Sequence, residues 1–229
     1  MGLTLVATPI GNLGDLSPRA IEVLTNADLW LVEDSRISGK LQSHLGLKKP
    51  MRVLNEHTSE RQVEAYVRDA AEQNVAVVTD GGCPTVSDPG AHLTDLCLEE
   101  GITVDAIPGP SAVIDALMLS GFYGQRFAFL GFLPRKPGPM KAELEVFSDS
   151  PLTLVAFESQ FRFRNLLMSA HTALGNRRYA ICRELTKLHQ QVWRGRLPEL
   201  PDETDVPAKG EFTIVIEGKR RASSASEDD

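Results

Sequence analysis

The first 115 residues contain five short apolar runs that alternate with stretches of helical length. The runs span residues 3–8, 29–32, 51–54, 75–79 and 103–107, and Val, Leu, Ile and Thr supply most of their residues. Each run is short for a buried helix and is bounded by turn residues, so it predicts a strand that is buried on both faces. Strands that alternate with helices indicate a mostly parallel sheet covered on both sides.

Cap residues followed by proline indicate where two of the helices begin. Ser17-Pro18 places a capping hydroxyl before a proline at the first helical position, and Asp88-Pro89 repeats the pattern. Segments 60–74 and 89–100 have the length and periodicity of helices. The spacing therefore predicts helices between the strands of the first half.

Polar and turn residues cluster where the predicted strands end. These clusters occupy residues 9–12, 33–36, 55–57, 80–88 and 108–111. In an open α/β sheet, ligands bind at the carboxyl ends of the strands. We therefore expect residues 1–115 to form a binding domain with its site at this edge.

The second half predicts another α/β domain, over residues 116–221, with a smaller mixed sheet. Its predicted strands and helix cover residues 127–132, 152–157, 160–174, 179–183, 191–194 and 212–216. A basic, proline-rich loop follows the first of these strands at 134–139. Residues 222–229 are rich in Ser and acidic residues and predict a disordered tail.

Charge is divided unevenly between the two halves. Residues 1–125 carry 8 basic and 17 acidic side chains, whereas residues 126–221 carry 16 basic and 11 acidic ones. Such polarity between halves indicates a polyanionic partner for the basic half. The alternative is that these arginines are ordinary solvated surface.

Several classes of protein are disfavoured by what the sequence lacks. It contains neither G-x-G-x-x-G nor G-x-x-x-x-G-K-[ST], and its histidines never take a metal-ligand spacing. Its three cysteines form no C-x-x-C pair. No apolar run reaches the roughly 20 residues needed to span a bilayer, and the start lacks the basic flank of a signal peptide. We expect a reduced, cytoplasmic protein without a metal and without a membrane segment.

Two rigid loops at the strand ends have the composition of a ligand site. Residues 80–90 place two carboxylates, three glycines and two prolines between a strand and a helix, and residues 107–112 form a second stiff loop. Glycines allow a ligand close to the backbone, and prolines stiffen the loop. Such loops suit S-adenosylmethionine, whose sulfonium avoids fixed positive charge. The alternative is two ordinary helix-capping turns.

Cations lie beside several strand ends of the basic half. Arginine suits phosphate because its guanidinium makes two parallel hydrogen bonds, and Phe161 or Phe163 could stack on an unpaired base. The alternative for each phenylalanine is core packing, and Arg183 beside Glu184 could be a paired charge.

Six segments, in order along the chain, together carry a family resemblance: residues 6–15, 33–36, 80–90, 108–112, 129–136 and 183–187. This combination resembles the ribosomal RNA small subunit methyltransferase I family, a branch of the tetrapyrrole methylase superfamily. The resemblance implies a two-domain α/β tetrapyrrole-methylase-like fold, a homodimer, and S-adenosylmethionine bound in the cleft between the domains. It also implies 2'-O-methylation of a cytidine ribose in small-subunit (16S) ribosomal RNA near the decoding centre. We expect the assembled small subunit as the partner, and free RNA stays open as the alternative substrate.

The resemblance also implies roles for particular residues. The cofactor-binding residues would be Pro9, Asp80, Gly82, Thr85, Ser111, Ala112, Phe157 and Glu158. The candidates for removing the ribose hydroxyl proton are Glu33, Asp34, Glu56, His57 and Lys187, although Glu33 and Asp34 could equally hold Arg36 or a neighbouring loop. The candidate RNA contacts are Arg36, Arg61, Arg135, Lys136, Arg162, Arg183 and Lys187. Two alternative functions remain: methylation of a tetrapyrrole (porphyrinoid), or RNA binding without catalysis by a ribosome-assembly factor.

Overall fold

A computed structural model describes residues 1–220 in two compact units. The first unit extends from Met1 to Ser111, and the second begins at Ala112. The division lies a few residues before the sequence-based boundary at residue 115, which remains a prediction of domain limits. The predicted acidic tail lies outside the described residues.

The first unit is built on a five-stranded parallel sheet. Its strands are β1 (Gly2–Val6), β2 (Leu29–Val32), β3 (Met51–Val53), β4 (Asn74–Val78) and β5 (Val104–Ile107). They lie side by side in the order β3-β2-β4-β1-β5, and every neighbouring pair is parallel. All five strands therefore end at one edge, as the alternation of strands and helices predicts.

Both faces of this sheet are buried at the central strands β2 and β4, which explains their continuous apolar runs. The prediction that every strand is buried on both faces is wrong for the edge strands β3 and β5, where Val53 and Ala106 are exposed. Leu31 and Val77 pack into one hydrophobic cluster, whereas Trp30, Val32 and Val78 pack into a second. Successive side chains of a strand point to opposite faces, so the two clusters lie on opposite sides of the sheet. The helices that cover it are α1 (Pro18–Asn26), α2 (Ser35–Leu45), α3 (Glu60–Glu72) and α4 (Ala91–Glu99).

The two cap-plus-proline patterns behave differently. The Ser17 hydroxyl accepts a hydrogen bond from the Ala20 amide and Pro18 is the first residue of α1, as predicted. The prediction at Asp88-Pro89 is wrong, because α4 begins only at Ala91. Gly90, at φ 118°, turns the chain into that helix, and this conformation favours glycine. Asp88 is therefore left in the loop that precedes α4.

The second unit contains a mixed sheet, also of five strands. The strands are β6 (Phe127–Phe132), β7 (Thr153–Ser159), β8 (Arg178–Arg183), β9 (Gln191–Arg196) and β10 (Glu211–Ile216). Their order is β6-β7-β10-β8-β9, with β6 and β7 parallel and the other neighbours antiparallel. The mixed character of the sheet is confirmed, but the expectation of a smaller sheet is wrong, because in residues 1–220 both sheets have five strands.

Three helices accompany this sheet: α5 (Ala112–Ser120), α6 (Pro137–Glu145) and α7 (Phe163–Leu174). Helices α6 and α7 contribute Met140, Leu144, Phe163 and Leu166 to the main hydrophobic cluster of the unit. Phe163 is fully buried and stacks on Phe212, with ring centroids 4.8 Å apart. Within residues 1–220, no helix is both long enough and apolar enough to cross a membrane.

Candidate functional site

Three loops at the carboxyl edge of the first sheet are held together by backbone contacts. Thr8, just beyond β1, and Gly82, in the loop after β4, exchange two backbone hydrogen bonds of 2.9 Å. Gly82 has φ 94°, a conformation that a side chain disfavours. The pair fixes the loop after β4 against the end of β1.

Close approaches extend this arrangement to neighbouring residues. A Cβ on Gly81 would lie 3.2 Å from the Pro9 carbonyl oxygen, so the two backbones pack tightly. The Cys83 thiol donates to the Pro110 carbonyl oxygen at 3.5 Å, which joins the loop after β5. The loops that carry the predicted cofactor residues Pro9, Gly82, Thr85 and Ser111 are therefore connected to one another.

A cleft of about 710 Å³ lies beside these loops, at the same edge of the sheet. It is formed by the segments that follow β2, β3 and β4 and by the start of α4. Its ionisable lining residues are Glu33, Asp34, Glu56, His57, Glu60, Asp80, Asp88 and His92. The structure thus brings together all four candidate proton acceptors of the first unit and the predicted cofactor residue Asp80.

Two carboxyl groups of this cleft, those of Asp80 and Asp88, have raised pKa values. Burial, and then the negative charge of Glu33, raise the pKa of Asp88 to about 6. Burial and Glu33 also raise the pKa of Asp80. A Glu33 carboxylate oxygen accepts a hydrogen bond from the Asp80 amide at 3.4 Å, which holds the two residues close. Such a cleft favours a cation and repels phosphate.

Asp34 occupies a different environment from its acidic neighbours. Its carboxylate caps α2 by accepting a hydrogen bond from the Arg36 amide, and it also binds the Arg36 guanidinium. Hydrogen bonds from that guanidinium and that amide hold the pKa of Asp34 at about 2. These contacts match the alternative role of Asp34, in which its carboxylate holds Arg36 instead of accepting a proton from the ribose.

The remaining predicted residues of the first unit lie at the surface. His57 is exposed, and its Nε2 lies 3.5 Å from Oε1 of Glu56. Arg61 is exposed on the first turn of α3. Within residues 1–220, no group of three His, Cys, Asp or Glu side chains is arranged to hold a metal ion.

In the second unit, Arg162 connects the loops that follow the parallel strands β6 and β7. Its guanidinium donates to the carbonyl oxygens of Leu133, at 3.0 Å, and Pro134, at 3.3 Å. It also lies 2.9 Å from the buried carboxylate of Glu158. Arg162 and Glu158 are therefore committed to internal contacts, and their predicted roles toward RNA and cofactor gain no support from these positions.

Arg183 and Lys187 are also engaged within the second unit. Arg183 is buried, and its guanidinium donates to the carbonyl oxygens of Lys209 and His189. The buried position and these backbone contacts give the predicted RNA contact of Arg183 no support, and it stays a prediction. Lys187 binds the carboxylates of Glu184 and Glu211. Burial lowers the pKa of Lys187, but these hydrogen bonds more than offset it, so the net pKa is raised.

The other predicted residues of this unit are accessible. Arg135 and Lys136 are exposed between β6 and α6, and no ion partner holds either of them among the described residues. Ala112 is half-buried at the start of α5. Phe157 is half-buried on β7, with its ring 4.9 Å from that of Phe129 and 5.6 Å from that of Phe132.

Sequence reasoning missed two features of this geometry. Asp88 was interpreted as a helix cap, yet it lines the cleft with a raised pKa. The only signal was its place in a glycine-rich loop, which does not reveal burial. The exposure of Phe132, the last residue of the predicted strand 127–132, was not predicted. A shift in the pairing between Phe129 and Phe132 accompanies Gly131 at φ 59°, and Phe132 is 64% exposed.

Comparison with known proteins identifies the family. The model of the family "Tetrapyrrole (Corrin/Porphyrin) Methylases" matches residues 2–201. A ribosomal RNA small subunit methyltransferase I of Haemophilus influenzae is 38% identical over 98% of this chain and 81% of its own length. The proteins of the same name from Synechocystis and Thermotoga maritima are 42% and 39% identical, over 94% and 95% of this chain and 78% and 98% of their own. The chain belongs to the ribosomal RNA small subunit methyltransferase I family.

Solved structures agree on the fold of this methyltransferase family member. The methyltransferase CobJ has a TM-score of 0.70 at 16% identity, over 97% of both chains. A uroporphyrin-III-C-methyltransferase of Thermus thermophilus has a TM-score of 0.65 at 20% identity, over 94% of both chains. At such identities the likeness shows the fold alone, and the expectation of a tetrapyrrole-methylase-like fold is confirmed.

Proposed function

We propose that this protein methylates small-subunit ribosomal RNA with S-adenosylmethionine as the methyl donor. The observation that carries the proposal is the Thr8–Gly82 backbone pair, which assembles the loops after β1, β4 and β5 beside an acidic cleft. Membership of a methyltransferase family and relatives named for ribosomal RNA methylation support this reading of the loops.

The loops fit S-adenosylmethionine in shape and in charge. The tight packing of Gly81 on Pro9 and the positive φ of Gly82 bring the backbones of the loops after β1 and β4 close together at the edge. Burial raises the pKa of Asp80 and Asp88, and the nearby Glu33 carboxylate raises both further. The acidic side chains that line the cleft give it a negative potential, which suits a sulfonium. In the first unit, Pro9, Asp80, Gly82, Thr85 and Ser111 would hold the cofactor.

Family resemblance adds Ala112, Phe157 and Glu158 of the second unit to the proposed cofactor residues. Phe157 would offer an aromatic surface, because its ring is only partly covered by Phe129 and Phe132. The buried Glu158 would act through its contact with Arg162. When bound, S-adenosylmethionine supplies an activated methyl group on positively charged sulfur.

The proposed acceptor is the 2'-hydroxyl of a cytidine ribose near the decoding centre, as the family resemblance implies. A group that removes its proton must be unprotonated at neutral pH. Asp34, with a pKa of about 2, is a weak base, and Lys187, with a raised pKa, holds its proton. Glu33 and His57 remain among the sequence candidates, and Asp88 joins them in the same cleft.

RNA would be held by cations that no internal contact occupies. Arg135 and Lys136 are the strongest of these, and Arg61 is the corresponding exposed cation of the first unit. Arg36 is exposed, but its guanidinium forms an ion pair with the Asp34 carboxylate. We propose the assembled small subunit as substrate, a homodimer as the active form, and the cytoplasm as location.

The decisive experiment maps ribose methylation after incubation of the purified protein with S-adenosylmethionine and small subunits that lack the modification. We expect one new 2'-O-methyl group, on a cytidine, that depends on both protein and donor. Parallel reactions offer free ribosomal RNA and a porphyrinoid. Methylation of the porphyrinoid alone would support the tetrapyrrole alternative, and no binding of the donor by calorimetry would support a non-catalytic assembly factor.

A further inference from the structure

We propose that exposed phenylalanine rings beside the Arg135-Lys136 loop stack on an unpaired base of the RNA. The rings are those of Phe161 and Phe132. Through them, this edge of the second sheet binds single-stranded RNA by stacking as well as by charge. The inference rests on the proposed function and adds the structural class of RNA that this edge recognises.

The position of Phe161 separates it from the core phenylalanines. Phe161 is 80% exposed in the loop after β7, whereas Phe163, two residues later, is buried. Exposing a large apolar ring to water is unfavourable, and a flat ring in such a position suits a partner with a flat face. Phe163 therefore packs in the core, whereas the exposed ring of Phe161 is available to stack on a base.

Phe132 is the second exposed ring at the same edge. It ends β6 and is 64% exposed, although its ring centroid lies 5.6 Å from that of Phe157. Strands β6 and β7 are parallel, so the segments that follow them, which contain Arg135 and Phe161, emerge at the same edge of the sheet.

Arg162 holds these two segments together. Its guanidinium donates to the carbonyl oxygens of Leu133 and Pro134, and both acceptors lie between Phe132 and Arg135 in the chain. Arg162 directly follows Phe161, so one guanidinium connects the Phe161 loop to the loop that carries the cations. This contact gives the half-buried Arg162, paired with the buried Glu158, a positioning role.

The pairing of exposed rings with unpaired cations selects the partner. Arg135 and Lys136 are exposed and have no ion partner among residues 1–220. Cations that follow a phosphate backbone next to aromatic rings are the pattern by which proteins hold single-stranded nucleic acid. Duplex RNA buries its bases in the stack, so it could use the cations but not the rings.

The test measures binding of the full-length protein to a fluorescein-labelled single-stranded RNA of about ten nucleotides. Replacing Phe161 by Leu keeps an apolar side chain and removes the ring, and we expect the affinity to fall about tenfold with the salt dependence unchanged. Phe161→Trp should retain the affinity. Binding of a duplex RNA of equal length should be the same in all three proteins.

A second variant and a matched control separate stacking from general surface effects. Phe132→Leu should also weaken single-strand binding, and a 2-aminopurine base in the probe should be quenched by the wild type and less by the variants. Tyr123→Leu removes a 58% exposed ring before β6, at the other end of that strand, and should bind like the wild type.

Three outcomes would overturn the inference. Wild-type affinity in Phe161→Leu would show that the ring does not stack. Equal loss for single-stranded and duplex RNA would show an effect on loop position. A change in sedimentation with unchanged RNA affinity would place a second copy of the chain on the ring. Methyl transfer to small subunits by the wild type is measured separately, so that failure of the proposed function is distinguished from failure of the stacking surface.

Discussion

The carboxylate of Asp34 accepts hydrogen bonds from both the backbone amide and the guanidinium of Arg36. The amide lies 2.8 Å from Oδ1, and the guanidinium Nη2 lies 2.5 Å from Oδ2. The first contact caps α2, and the second is an ion pair whose arginine is 88% exposed. The geometry favours a structural role, because a carboxylate with a pKa of about 2 accepts protons poorly at neutral pH.

This relationship leads to a prediction for two substitutions at one position. Asp34→Ser keeps a capping oxygen and removes the charge, so it should retain most methyl-transfer activity and change the free energy of unfolding by no more than about 0.5 kcal/mol. Asp34→Ala removes the cap and should lower the free energy of unfolding by about 1 kcal/mol. Urea denaturation and methyl transfer to small subunits check both values. A serine variant that is stable but inactive would restore Asp34 as a proton acceptor.

The parallel sheet of the first unit could be predicted because its physical cause is local. Strands buried on both faces must be apolar throughout, so the run Leu29–Val32 predicts β2 with its observed bounds. The Ser17 cap could be predicted for the same reason, since the capping hydroxyl and its amide are three residues apart.

Long-range contacts could not be predicted in this way. Arg183 has the sequence signature of a surface cation, but its acceptors, Lys209 and His189, are brought to it by the fold. Asp88 has a helix-cap pattern, but burial and the nearby charge of Glu33, both of which depend on the fold, raise its pKa. The Thr8–Gly82 pair joins two loops that are distant in sequence. Sequence reasoning identified these loops, but not the contacts between them.

The acidic cleft leads to a prediction of pH-dependent stability. The pKa of Asp88 is about 6 in the folded protein and near 3.8 in the unfolded chain. At pH values between these two, Asp88 is protonated to a greater extent in the folded protein than in the unfolded chain. Stability contributed by neutral Asp88 is therefore lost as pH rises from about 4 to about 6. Asn cannot ionise, so Asp88→Asn should match the wild type near pH 4 and exceed it at neutral pH. After allowance for solvent screening, the gain should be about 1 to 2 kcal/mol.

Urea denaturation of both proteins at the two pH values measures this difference. Asp95→Asn on α4 makes the same charge change outside the cleft lining and should give no comparable gain. An equal gain at acidic and neutral pH in Asp88→Asn would mean that burial of a charged Asp88 is not its source.

The Thr8–Gly82 pair leads to a prediction about cofactor affinity. In the variant Gly82→Ala, the alanine would have to adopt φ 94°, at a cost of about 1 to 3 kcal/mol. The loop should therefore move away from Thr8. We expect calorimetry to show S-adenosylmethionine binding weakened about tenfold, equivalent to roughly 1.4 kcal/mol. Gly46→Ala is the control, because Gly46 also has a positive φ, of 66°, but ends α2 with no atom near an added Cβ.

Gly46→Ala should lower stability by about 1 kcal/mol and leave the cofactor affinity unchanged. If both alanine variants bound S-adenosylmethionine as the wild type does, the Gly82 loop would have no part in holding the cofactor. If both weakened binding equally, the effect would follow from general destabilisation.

The free cations of the second unit lead to a prediction about salt dependence. Each phosphate contact to a single strand contributes about 0.7 to the slope of log affinity against log salt. Arg135→Ala together with Lys136→Ala should therefore weaken binding of the single-stranded probe and reduce the slope by about 1.4, while calorimetry shows unchanged S-adenosylmethionine affinity. Arg126→Ala removes an exposed cation just before β6, at the far end of that strand, and should leave the slope unchanged. Phe161→Leu, in contrast, should lower the affinity without altering the slope. If the slope of the Arg135→Ala and Lys136→Ala double variant stayed at the wild-type value, phosphate would be bound elsewhere.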